Sequence, residues 1–124
     1  MHSLSLAVIA LIASTAAAPA AAAPIGAVAA GTCDRLGYAT GYDNVDAAAA
    51  AALQACASNG DKSCKLILSI EGNCAAFAVV GACGPRGWAS GANRRQAEER
   101  SLGACAAQGG KDCTVRRSIC DGED

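Results

Sequence analysis

Eight cysteines and one histidine set the limits of the chemistry open to this 124-residue chain. The histidine is His2, so the rest of the sequence offers no imidazole for a Ser-His-Asp or Cys-His nucleophile and none to bind a metal. If the eight cysteines pair with one another, no thiolate nucleophile remains either. Carboxylates are then the surviving catalytic groups. Glu98 and Glu99 are neighbours on a helical stretch and diverge, while Asp43 and Asp46 stand at a helix start, where capping and the macrodipole account for them. The glycines carry no phosphate-loop spacing. The expectation is a non-catalytic protein with no cofactor and no metal.

The elements that carry these residues are written twice. Leu53-x-x-Cys56-x7-Cys64 returns 49 residues later as Leu102-x-x-Cys105-x7-Cys113. Gly37-Tyr38-Ala39-Thr40-Gly41 is answered at 50 by Gly87-Trp88-Ala89-Ser90-Gly91, and Cys33 by Cys83. One single-residue indel between Gly41 and Asn44 reconciles the two displacements. Repetition on this scale marks a supersecondary unit that buries its apolar face against a neighbour.

Residues 1 to 23 hold a short apolar core, Leu4 to Ile12, and then Ala-rich sequence, which reads as a secretory signal peptide cut at about Ala18 to Ala23. An anchor is disfavoured, because a strongly apolar run this short does not cross a hydrocarbon core of roughly 30 Å. The remainder is expected to form one domain of two repeats, 24–73 and 74–120, followed by an acidic tail, 121–124. A net charge of −1 predicts neither a nucleic-acid binder nor a membrane binder after cleavage. The repeats differ more than the total suggests. The first carries three basic and five acidic residues, the second seven basic and three acidic.

Eight cysteines in an exported chain of this size imply a disulfide framework, since so small a domain gains little from its core. About 100 connectivities are possible, and the repeat narrows them. Cys56 with Cys64, and Cys105 with Cys113, read as local staples between a helix end and the next strand, each worth about 2.5 kcal/mol in the chain-entropy picture. A pseudo-twofold packing could bring Cys33 to Cys83, leaving Cys74 and Cys120 as partners; the connectivity of these four stays open. A four-thiolate zinc site is the rival, but x7 spacing is wide of the x2 to x4 that zinc sites favour.

Each unit reads strand, strand, helix, strand, which gives an α+β fold of two ββαβ repeats forming antiparallel sheet with one helix per repeat. In the first, strands are expected at Ile25 to Ala30 and Leu36 to Tyr42, a helix capped by Asn44 running to about Ala57, and a strand from Lys65 to Ile70. In the second, strands are expected at Ala75 to Val80 and Arg86 to Ala92, a helix capped by Asn93 with Gln96 three residues on, running to about Ala107, and a strand from Thr114 to Ile119. The period of two puts Gly37, Ala39 and Gly41 on one face and Tyr38, Thr40 and Tyr42 on the other. The small face suits an Ala-rich helix. Tyr38 and Trp88 then point away from the helices, into a second layer or into solvent.

Two Gly-aromatic strands, each followed by an Ala-rich helix ending in Leu-x-x-Cys and a Cys-led apolar strand, resemble the bacterial secreted family called domain of unknown function 4189. The likeness runs from Ile25 to Cys120 and includes Asn73-Cys74-Ala75-Ala76-Phe77-Ala78 between the units. It implies an exported, disulfide-bonded α+β domain. Ile25-Gly-Ala-Val stands where that family opens with Trp-Gly-Ala-Ile, and Leu66-Ile-Leu replaces a strand that often carries Trp or Phe, which argues against a ligand face of stacked rings. The Cys33 and Cys83 pair is an addition to the family's usual set.

The second repeat holds the best interaction candidates. Arg94, Arg95 and Arg100 share a helix whose counterpart is nearly uncharged, and Trp88 is expected beside Arg86 on the face its strand turns from that helix. An exposed Trp next to arginine is what interface hot spots favour, so Trp88, Arg86, Arg94 and Arg95 are the expected contacts for a protein partner. The competing account uses the arginines in intrahelical ion pairs and as edge-strand protection. The functional expectation is a secreted, periplasmic or envelope protein that binds another protein. The alternatives are an exported effector or envelope-associated factor and, third, a small carboxylate-dependent hydrolase.

Overall fold

The computed structural model describes residues 24–58 and 60–121. The leader at 1–23 and the tail beyond Asp121 lie outside the described residues. The order is β1 (Ile25–Ala30), β2 (Leu36–Tyr42), α1 (Val45–Ala57), β3 (Lys65–Glu71), β4 (Cys74–Val79), β5 (Arg86–Gly91), α2 (Arg94–Ala107) and β6 (Thr114–Cys120). Two antiparallel three-stranded sheets result, ordered β2-β1-β3 and β5-β4-β6. The fold is α+β, built from ββαβ twice. β4 begins and ends one residue before the sequence suggests, because Cys74 pairs with Gly91, whereas the Val80 N–H closes the hairpin turn on the Pro85 carbonyl.

Side-chain chemistry starts both helices. The Asn44 side chain accepts from the Ala47 N–H at 2.8 Å, and Asn93 accepts from Gln96 N–H at 2.9 Å while Gln96 Oε1 accepts from Ala92 N–H at 2.7 Å. At the far end of α2, Gly109 adopts φ 88° and the N–H groups of Gly109 and Gly110 reach back to the carbonyls of Ala106 and Cys105. That is the left-handed stop with its two return bonds.

Each helix covers one sheet with residues four apart: Ala48, Ala52 and Cys56 in α1, and Ala97, Ser101 and Cys105 in α2. The approach is close enough that a Cβ on Gly37 would lie 2.1 Å from the Ala52 carbonyl oxygen, and one on Gly87 would lie 2.3 Å from the Cys105 nitrogen. The opposite faces of the sheets pack on each other. Val28, Ile70, Ala75 and Ile119 are buried there together, flanked by Leu36 and Leu68. The layers therefore run helix, sheet, sheet, helix, and the central strands β1 and β4 are buried on both faces.

Gly37→Ala should lower stability by about 1 to 3 kcal/mol, because backbone rather than a flexible side chain blocks the added carbon. Gly103→Ala, on α2 with nothing within 4 Å, should raise it by about 0.5 to 1 kcal/mol. Denaturant melts of the two variants separate these outcomes.

Candidate functional site

Strand alternation sends Trp88 into the layer between the sheets. Its ring stacks on Phe77 with centroids 5.5 Å apart, and its Nε1 is buried with no hydrogen-bond partner among the described residues. The expectation of an exposed Trp88 is thereby corrected: the ring is half-buried, and packing claims it. On the equivalent position of the first repeat, Tyr38 is 40 % exposed, lies under the Arg117 guanidinium at 4.1 Å and accepts a hydrogen bond from it through its hydroxyl. The four expected contact residues do not make one patch. Arg86 and Trp88 are on the face of β5 turned from α2, whereas Arg94 and Arg95 ride on α2 itself, across the sheet. Arg94 donates to the Ser118 carbonyl at 2.8 Å and to Ser118 Oγ at 2.6 Å, and Arg95 pairs with Glu99 at 3.1 Å. Glu98 accepts from Ser118 Oγ at 2.8 Å.

Comparing the four sheet edges shows what the arginines do. In the second repeat Arg100 caps the Ser90 carbonyl of edge strand β5 at 3.2 Å, Arg94 caps Ser118 of edge strand β6, and Arg116 and Arg117 lie within β6. Charge and capping of this kind keep an edge from pairing with another chain. The first repeat has Leu36, Val45, Ala51, Ile67 and Leu68 where the second has Arg86, Arg94, Arg100, Arg116 and Arg117. Its edges lack these guards.

β3 carries a bulge at Ile67, which bends an edge away from pairing. β2 is regular from Leu36 to Ala39 and has no charged residue. The Gly31 N–H bonds to the Arg35 carbonyl at 3.0 Å, and the antiparallel alternation from that pair turns the backbone of Gly37 and Ala39 toward β1 and that of Leu36 and Tyr38 outward. Among the described residues Tyr38, Tyr42 and Leu66 are the exposed large hydrophobic ones, and all stand on these two strands. Beside β2 a shallow groove is lined by Tyr38, Ala39, Thr40 and Tyr42 of the strand and by Ala51, Gln54, Ala55 and Ser58 of α1 and its cap. Sequence periodicity missed it. The signal was present as five apolar-for-arginine differences between the copies.

A second cluster ties the loops of the first repeat. The Asp61 carboxylate accepts from Ser63 Oγ at 2.6 Å, Ser63 N–H at 2.8 Å and Thr32 N–H at 2.8 Å, with Arg35 Nε at 3.6 Å. Ser63, first through its hydroxyl and then its backbone, and Thr32 after it, hold the Asp61 pKa at about 2, below the ordinary 3.8. Gly110 occupies this place in the second repeat.

The cysteines are joined as Cys33–Cys83, Cys56–Cys64, Cys74–Cys120 and Cys105–Cys113. This set implies an oxidising, extracytoplasmic setting. Among the described residues no helix is long and apolar enough to cross a membrane. The sequence model of the family described as Domain of unknown function (DUF4189) matches residues 25–120. The chain belongs to that family. No curated protein and no solved structure matches it.

In this DUF4189 domain Asp61 makes stability depend on acid. Its folded pKa is depressed, so its contribution is fully present above the unfolded value near 3.8 and disappears as pH falls through about 2. Asp61→Asn should melt several degrees below the parent at pH 6, with the gap closing between pH 4 and pH 2. Melting curves across that range test it, and a gap that does not change with pH would contradict the assignment.

Proposed function

We propose that this DUF4189 chain is an exported, non-catalytic domain that binds protein by adding an extended segment of its partner to the outward edge of β2 at Leu36 and Tyr38. Export rests on the apolar leader before residue 24 and on the four disulfides, which need an oxidising compartment to form. The absence of catalysis rests on residue chemistry. The sequence's one histidine is His2, all eight cysteines are in disulfides, and the carboxylates of Asp61, Glu98 and Glu99 are engaged by Ser63, Ser118 and Arg95.

The observation that carries the binding reading is the unequal guarding of the edges. β5 and β6 are blocked by arginines, while β2 presents outward backbone groups at Leu36 and Tyr38 beside an uncharged groove. Strand addition takes its affinity from main-chain hydrogen bonds and its specificity from pockets for alternate side chains, and the groove along α1 supplies such a pocket. Its occupant should be a partner segment without charged residues at the alternate positions that face α1.

Panning a random peptide library on the oxidised domain should enrich peptides with low charge and strand-forming residues. Tyr38→Lys, which places an edge lysine in the pairing path, should weaken an enriched peptide at least tenfold while leaving four disulfides and cooperative melting intact. Ser90→Lys on edge strand β5, whose backbone Arg100 already caps, should leave affinity within about twofold. Equal loss from both substitutions, or enrichment no better than on reduced and alkylated protein, would refute the assignment to β2.

A further inference from the structure

We propose that Cys33–Cys83 is a thiol–disulfide exchange site, a clasp whose reduction by a dithiol lets the two repeats part and uncovers the cleft between the sheets. Its setting differs from that of the other three pairs. Cys56, Cys74 and Cys105 are each buried at 5 % exposure or less, so those bridges have one shielded sulfur-bearing residue. Cys83 is exposed and Cys33 half-buried. Exchange requires in-line approach of a thiolate to a sulfur, so accessibility selects this pair.

Topology gives the clasp its consequence. Cys56–Cys64 lies within the first repeat, Cys74–Cys120 and Cys105–Cys113 within the second, and only Cys33–Cys83 joins one to the other. It links the β1–β2 turn to the β4–β5 turn. The covalent connection between the repeats, Gly72-Asn73, is at the opposite end of the sheets, because Lys65 pairs with Ala30 beside the clasp and Glu71 pairs with Ile25 far from it. Gly72, at φ 71°, takes a left-handed turn that glycine permits, and its N–H bonds the Asp121 carboxylate, so this end stays held as the hinge when the clasp opens. Next to the clasp the Arg116 guanidinium bonds Asp34 at 2.6 Å and the Gly81 carbonyl at 3.5 Å, the one ion pair between the repeats among the described residues.

Between hinge and clasp lies a narrow apolar cleft lined by Val28, Leu36, Leu68, Phe77, Trp88 and Ile119. Opening would return the buried Trp88 Nε1 to water. The chemistry balances. A thiolate of the dithiol attacks Cys83 Sγ and forms a mixed disulfide, Cys33 leaves as thiolate and takes up a proton, and the second thiol displaces Cys83. The dithiol becomes a cyclic disulfide, and two electrons pass to the protein.

Native oxidised protein is titrated with dithiothreitol, trapped with iodoacetamide and mapped by peptide mass, while Trp88 emission is followed. Cys33 and Cys83 should be alkylated at a dithiol concentration at least tenfold below that needed for any other pair, and the emission should move to longer wavelength in step and return on reoxidation. Reduction of another pair at the same or lower concentration would overturn the exchange site. Unchanged emission with Cys33 and Cys83 fully alkylated would overturn the opening. A Cys33→Ser, Cys83→Ser protein with its three other bridges should show the long-wavelength emission without dithiol, and parental emission from it would count against the clasp.

Discussion

Each three-stranded sheet has two faces to cover, and each repeat supplies one helix. Everything else in the molecule depends on how the uncovered face is buried. A sheet with only one apolar face could leave the other to water, but β1 and β4 are small and apolar on both sides, from Ala27 to Ala30 and from Cys74 to Val79. The repeats solve this by packing sheet on sheet, so neither has a complete core by itself. Val28 and Ile70 come from one, Ala75 and Ile119 from the other.

That shared layer explains how unlike the copies have become. On the helix side the positions are held by close backbone approach, and Gly37, Ala52 and Cys56 correspond to Gly87, Ser101 and Cys105 with little latitude in size. Between the sheets, pairs need only complement one another across the layer. Val28 is answered by Phe77, Tyr38 by Trp88 and Leu68 by Arg117, each flanking the next in the strand register. Arg117 keeps its charge at the rim by covering the half-exposed ring of Tyr38. The charge asymmetry between the repeats belongs to the same divergence, since five arginines of the second repeat stand at or near its edges in places where the first has apolar residues.

The disulfides divide the work by place. Two staples fix helix ends to the strands that follow, and Cys74–Cys120 locks the paired starts and ends of β4 and β6. None of those three constrains one repeat against the other. Relative placement of the repeats rests on the apolar layer, the Arg116–Asp34 pair, the contact of Arg117 with Tyr38 and one bridge.

Much of this was legible in the sequence for a local reason. Element order follows from hydrophobic period, Asn caps and Gly stops, all read within a few residues, and the 49-residue repeat confirms every element by a second copy. The Leu-x-x-Cys-x7-Cys spacing belongs to the same local class, because a helix end and the next strand start are bound to be near in space. Side-chain fate was another matter. Periodicity puts Trp88 opposite the helix, yet whether that side is water or a second sheet depends on Val28, Leu36 and Leu68 of the first repeat coming to lie near it, which no local window contains. Arg94 reads as a surface charge until Ser118, 24 residues on, is brought alongside by β6. The sequence by itself therefore determined the two units and their internal geometry, since those rest on short-range backbone chemistry; only the tertiary structure decided which faces meet, which edges stay open and where the arginines go, because those depend on contacts between segments far apart in the chain.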